Sequence, residues 1–155
     1  MDITVKNIKI AEFASEETLC FEATVYIDGK RAFTAHNQGH GGCNMYYPIK
    51  NKKTGEFDHT LLNKAEDWAN AQKMEFDFEK LGQIIDQLIE DFQIEKELKK
   101  TLKKAALYQD DKIFTYNCKI DHPKIREQIK RDNPDAVILN DLPFDEALEI
   151  FKKHA

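Results

Sequence analysis

Residues 18–27, TLCFEATVYI, place Phe21, Ala23, Val25 and Ile27 on one side of the chain and Glu22, Thr24 and Tyr26 on the other. A period of two marks a half-buried strand. Asp28-Gly29 then breaks the run, and KRAFTAH follows with Phe33 and Ala35 at alternate positions. Asp-Gly is the favoured pair of a two-residue type I′ turn, so the spacing predicts a β-hairpin over 18–36. ITVKNIKIAEF alternates more weakly and adds a first strand before the SEET turn, giving an antiparallel meander. The segment MYYPIKNKKTGEF reads as a surface excursion, because Pro48, the NKKTG cluster and Gly55 all interrupt a strand.

From Thr60 the period becomes helical. Leu61, Leu62, Ala65, Trp68 and Ala69 share a stripe, with Asn63, Glu66, Asp67 and Asn70 opposite. Phe78, Leu81, Ile85, Leu88 and Phe92 then repeat at steps of three and four, the clearest amphipathic helix in the chain. Two heptads are too few for a coiled coil, so this helix is expected to pack on the sheet. Beyond Gln93, IEKELKKTLKKAALY continues as a basic helix, and DKIFTYNCKI alternates as a strand. Asp121 is the expected N-cap of HPKIREQIKRD, with Pro123 in its first turn. AVIL reads as a short buried strand, and Pro143 opens a last helix with Phe144, Ala147 and Phe151 facing inward. The order predicts an α+β fold: an N-terminal antiparallel β-meander, central amphipathic helices and a C-terminal β-α-β-α segment.

A length of 155 residues fits one domain, 1–155, able to bury roughly two-thirds of its unfolded surface. If two lobes form, their boundary is expected near 55–60 or 93–110. Ten Phe, five Tyr and one Trp give a 41% hydrophobic chain enough bulk for a core despite its 33% charged content. No apolar stretch reaches membrane-spanning length, and MDITVKNIKI lacks the basic start and apolar run of a leader, so a cytoplasmic location is expected. Cys20, Cys43 and Cys118, odd in number and far apart, fit reduced thiols better than a disulfide framework. The net charge of −5 conceals an asymmetry. Residues 56–93 carry three Lys against ten acids, about −7, whereas residues 94–131 carry eleven Lys or Arg against six acids, about +5.

Three of the six glycines fall in HNQGHGGCN, residues 36–44. His36, His40 and Cys43 give H-x3-H-x2-C, a chemistry suited to zinc, but a structural site needs four ligands, and Cys118, His59 or His122 would have to come from elsewhere. Gly39, Gly41 and Gly42 can take positive φ and point successive N–H groups at an anion. Neither G-x-G-x-x-G nor G-x-x-x-x-G-K-[ST] is present, and a twisted strand end explains the same glycines. A Cys–His pair would make a nucleophile, although sequence proximity does not establish that geometry. The candidate ligand-binding residues are therefore Asn37, Gly39, His40, Gly41, Gly42, Asn44 and Tyr46. No catalytic residue, metal or cofactor is assigned.

A second candidate surface comprises Lys96, Lys99, Lys100, Lys103 and Lys104, whose spacing gathers five ammonium groups on one helix face opposite Leu98, Leu102 and Ala105. Such a face suits a protein or nucleic-acid partner, with salt-dependent binding for the latter, unless it is matched by the acidic helix Asp77–Asp91. Adjacent acids such as Glu66-Asp67, Glu90-Asp91, Asp110-Asp111 and Asp145-Glu146 mostly point apart and support no glycosidase or two-metal assignment.

The stretch FEATVYIDGKRAFTAHNQGHGGCN resembles a segment of small uncharacterised proteins carried by bacteriophages and other bacterial mobile elements, in which a strand, turn and strand lead through N-x-G-x-G-G to a tyrosine. The matching residues are Asn37, Gly39, Gly41, Gly42 and Tyr46 or Tyr47, in the first third of the chain. The resemblance implies no established activity. It favours a small accessory or anti-defence factor that engages a host protein, nucleotide or nucleic acid through the glycine loop and the lysine face. The alternative is a small metalloprotein or Cys–His enzyme using His36, His40 and Cys43. A membrane partner is not expected.

Overall fold

The computed structural model describes residues 1–154, and the fold is α+β. The chain divides into two compact units, Met1–Ile89 and Glu90–Ala155, with the division inside one helix.

The first unit is built on β1 (Ile3–Ile10), β2 (Cys20–Ile27), β3 (Lys30–Gln38), β4 (Met45–Lys50) and β5 (Phe57–Asp58), antiparallel neighbours in that order. The β2–β3 hairpin turns at Asp28 and Gly29, both with positive φ (48° and 76°), as a type I′ turn requires. Register places Phe21 opposite Asn37, Ala23 opposite Ala35 and Val25 opposite Phe33, so these six share the inner face. That face packs on α1 (Thr60–Asn70) through Leu62, Ala65 and Ala69, and on the start of α2 (Lys80–Thr101) through Leu81, Ile85 and Ile89. The outer edge of β1 is interrupted by a register shift between Lys6 and Lys9, where Asn7 takes a φ of 53°. Such bulges discourage pairing with a further strand.

The second unit comprises the rest of α2, β6 (Ala105–Gln109), β7 (Lys112–Tyr116), α3 (Pro123–Asp132), β8 (Val137–Ile138) and α4 (Phe144–His154). Its sheet runs β7-β6-β8, and β6 is covered on both sides. Ala106 joins Leu98, Leu139, Ala147 and Phe151 on one face, while Ala105 and Leu107 join Ile120, Ile129 and Ile138 on the other. Asn140 ties the unit together: its side-chain oxygen accepts from Ala106 N–H, and its amide nitrogen donates to Leu102 and Lys104 carbonyls, each at 2.8–2.9 Å.

Several expectations are corrected. MYYPIK is strand β4; it is an edge strand at Pro48, because β5 pairs only with Ile49 and Lys50, and an edge tolerates the missing N–H. α2 begins at Lys80, so Phe78 lies before it and is exposed, and its core stripe is Leu81, Ile85 and Ile89, with Leu88 half-buried and Phe92 exposed. AALY does not continue the helix. Burial of Ala105, Ala106 and Leu107 on both faces of β6 overrides their helix propensity. The β6–β7 hairpin turns at Asp110 and Asp111, again both with positive φ. The N-cap of α3 is His122, not Asp121, and only Val137–Ile138 of AVIL is extended.

Candidate functional site

β3 carries the glycine-rich stretch out of the sheet. His36, Asn37 and Gln38 still belong to the strand, and the loop proper begins at Gly39. Asn37 points inward, 6% exposed, and its side-chain amide makes four hydrogen bonds. Its oxygen accepts from the Thr18 hydroxyl (2.7 Å) and from Gly39 N–H (2.9 Å). Its nitrogen donates to the Gly42 carbonyl (3.2 Å) and to Asn44 Oδ1 (3.0 Å). Two backbone partners of fixed polarity define which end of the amide is which, so the bond direction propagates through the cluster. Thr18 Oγ1 in turn accepts from Gly41 N–H (3.2 Å), and Asn44 Nδ2 donates to the Asp86 carboxylate on α2 (2.7 Å).

The glycines serve this packing. Gly39 takes a φ of 87°, and its carbonyl accepts N–H bonds from Glu16, Glu17 and Thr18 at 2.9, 3.0 and 3.3 Å. A Cβ there would stand 2.1 Å from the Ala14 carbonyl oxygen. The N–H groups of Gly39 and Gly41, the donors an anion nest would use, are already bonded to Asn37 and Thr18.

Beyond Asn44 the chain docks on the beginning of α2. Tyr46 turns its hydroxyl toward Gly82, where the buried oxygen has no hydrogen-bond partner. Burial, reinforced by the charges of Asp86, Glu79 and Glu66, holds this phenol well above the usual tyrosine value. Burial also raises the Asp86 carboxyl, against the lowering effect of the bond from Asn44.

The remaining loop residues take separate partners. His40 is exposed and lies 3.2 Å from Glu16. Cys43 is exposed and hydrogen-bonded to Glu79, which raises its pKa, the opposite of an activated thiolate. His36 lies on the outer face of the sheet, stacked on Tyr47 with ring centroids 4.8 Å apart and planes within 3°. Among the described residues no group of three or more His, Cys, Asp or Glu is placed to hold a metal ion.

That outer face is the site of a concavity of about 470 Å³, with Lys9, Cys20, Glu22, His36, Gln38 and Tyr47 among its lining residues. Register brings them together: Cys20 faces Gln38, Glu22 faces both Lys9 and His36, and His36 faces Met45. The surface is open, with Tyr47 52% and Met45 40% exposed. Lys9 and Glu22 pair at 3.4 Å on its rim, and Lys6 sits 4.8 Å from the Tyr26 ring centre. The sequence names His36 as a metal ligand or catalytic partner and Tyr47 only as the alternative to Tyr46 in the phage-protein resemblance; that the two rings meet is not legible there, because Pro48 and the NKKTG cluster mask the strand that carries Tyr47. Thr18, Glu79 and Asp86, remote in sequence, gave no signal at all.

The lysine face is also corrected. α2 ends at Thr101, so Lys103 and Lys104 lie in the following turn, off the helix that carries Lys96, Lys99 and Lys100. Lys99 pairs with Glu95 at 3.2 Å and lies over the Phe144 ring, and Lys100 pairs with Glu97 at 3.3 Å. The matching carboxylates are thus on the same helix, one turn back, and not on Asp77–Asp91.

No known protein family, curated protein or solved structure matches the chain. No helix among the described residues is long and apolar enough to cross a membrane.

Two stability measurements follow. Gly39→Ala should cost at least about 3 kcal/mol in urea unfolding, since backbone strain and a clash with Ala14 add. Gly42→Ala, with nothing within 4 Å of its Cβ, should cost only about 1–2 kcal/mol. Equal losses would contradict the packing described. Tyr46 has a folded pKa above its unfolded value of about 10, so its contribution is fully present below pH 10 and is lost as pH rises through the folded value. Tyr46→Phe should therefore flatten the alkaline loss of stability and leave stability at pH 7 unchanged or about 1 kcal/mol higher. A loss of more than about 1 kcal/mol at pH 7 would mean that the hydroxyl is satisfied in solution.

Proposed function

We propose that the chain is a non-catalytic accessory factor that docks on another protein through the outer face of its N-terminal sheet. The observation that carries this reading is the open concavity beside the stacked His36–Tyr47 pair. An exposed tyrosine in the lining, an exposed methionine opposite His36 and a mutually paired Lys9 and Glu22 are groups that protein-binding surfaces use. The glycine loop supports this surface by holding the end of β3, with the N–H groups of Gly39 and Gly41 and the carbonyl of Gly42 bonded internally. The resemblance of residues 21–44 to proteins of phages and mobile elements favours a host protein as the partner, and an anti-defence role as the setting. A cytoplasmic location fits the three free cysteines.

A nucleotide or nucleic acid is the less favoured ligand. On the outer face Lys9 is paired with Glu22, and on α2 Lys99 and Lys100 are paired with glutamates. The metalloprotein or Cys–His alternative has less support still, since Cys43 is bonded to a carboxylate and His36 to a tyrosine ring.

The test is affinity capture from nuclease-treated bacterial lysate with wild type, Tyr47→Ala and Glu22→Lys as baits, followed by calorimetry with the purified partner. One protein should be retained by wild type and bound at least about tenfold more weakly by both variants. A partner bound equally by all three baits, or captured material that nuclease removes, would contradict the reading.

A further inference from the structure

An edge strand presents unpaired N–H and C=O groups, and folded proteins shorten, bulge or cover such edges. The edge strands here are β1, β5, β7 and β8. β1 carries the register shift at Asn7, and β5 and β8 are each two residues long. β7 has no such protection. Lys112–Tyr116 pairs with β6 in unbroken register and contains neither proline nor glycine.

The direction of its free groups follows from β6. Ala106 N–H donates to Asn140, which follows β8 on the side away from β7, whereas Ala105 N–H donates to the Cys118 carbonyl, just beyond β7. Backbone groups alternate in direction along a strand, so Ala105, Leu107 and Gln109 face β7, and their opposite numbers Tyr116, Phe114 and Lys112 face β6. Ile113 and Thr115 therefore turn their N–H and C=O groups to the free edge. On one side of that edge stand Lys112, Phe114 and Tyr116, with the two aromatic ring centroids 6.1 Å apart. Asn133 Nδ2 donates to the Tyr116 hydroxyl at 3.1 Å, which holds a ring that is 38% exposed.

We propose that two copies of the chain associate edge to edge through β7, antiparallel about a two-fold axis at Phe114, so that their three-stranded sheets become one. In this register the strand is its own complement. Ile113 of one copy stands opposite Thr115 of the other, and a pair so placed exchanges both N–H···O bonds. Phe114 stands opposite Phe114 and Lys112 opposite Tyr116, at the positions where side chains across a ladder come closest. A lysine on an edge normally opposes pairing, but here its ammonium meets an aromatic ring and not a like charge. The Asp110-Asp111 turns fall at opposite ends of the shared ladder, so the acids do not confront one another. A shift of register loses the match: moved one way, Tyr116 faces Asp110, and moved the other, Lys112 faces Cys118 past the end of β7. An isologous pairing closes both free edges at once and stops at two copies. The contact is one short strand, so it is weak. β7 belongs to the second unit and the outer face of the N-terminal sheet to the first, and neither proposal depends on the other.

Sedimentation velocity of the full chain from about 5 μM to about 1 mM tests it. Mass should rise with concentration toward a dimer and no further. Thr115→Pro removes an outward N–H at an edge position, where proline is tolerated, and should weaken association at least about tenfold while keeping wild-type circular dichroism. Amide hydrogen exchange of the wild-type chain decides the matter should that variant fail to fold. Exchange at Ile113 and Thr115 should slow severalfold between dilute and concentrated solution, whereas Phe114, whose N–H faces β6 in either state, should change little. A chain that is monomeric at every concentration, leaving the edge to a foreign strand, would overturn the proposal. So would growth beyond a dimer, association undiminished in folded Thr115→Pro, or Ile113 and Thr115 amides that exchange no more slowly on association.

Discussion

The side-chain amide of Asn37 makes four hydrogen bonds, the most an amide can make, and the geometry from Thr18 to α2 depends on them. It lies on the inner face of β3, in line with Phe33 and Ala35, at a position that elsewhere in the strand would be apolar. A buried polar group is tolerated only when satisfied. Here the partners come from three places: the segment before β2, the glycine loop and the residue that leads into β4. Satisfying one amide therefore fixes the path of all three. The direction continues through Asn44 to Asp86, which ties the loop to the helix that covers the sheet.

This constraint accounts for the glycine at position 39. Gly39 must approach the Ala14 carbonyl more closely than any side chain allows, and its N–H faces Asn37 instead of a bound anion. On the opposite face, His36, the residue before Asn37, stacks on Tyr47. Adjacent strand residues point to opposite sides, so a motif read along the sequence as one cluster becomes an internal scaffold and an external surface.

That division accounts for what was legible beforehand. Strict alternation with Asp-Gly gave β2, β3 and their turn, and the stripe of Leu62, Ala65 and Ala69 gave α1, because those elements bury one face only. β6 was not legible because both its faces are buried, leaving Ala-Ala-Leu without alternation beside a helix-forming lysine run. β4 was obscured by a proline that only its edge position permits. At the site, Asn37, Gly39 and Asn44 were identifiable as special positions by residue type, but their role was not. Thr18, Glu79 and Asp86 lie up to 42 residues from the loop groups they hold, a separation no local pattern records.

The most direct test of the Asn37 scaffold is the near-isosteric substitution Asn37→Asp, compared with wild type by urea unfolding at pH 7 and at pH 4. The change replaces two donors with acceptors that face the Gly42 carbonyl and Asn44 Oδ1. At pH 7 it should cost about 2–4 kcal/mol, the combined effect of a buried charge and lost bonds. Its carboxyl would titrate above the ordinary aspartate value, so the deficit should shrink as pH falls and protonation restores one donor. A difference below about 0.5 kcal/mol at pH 7, or one that does not change with pH, would show that the loop and its neighbours are held by something other than this amide.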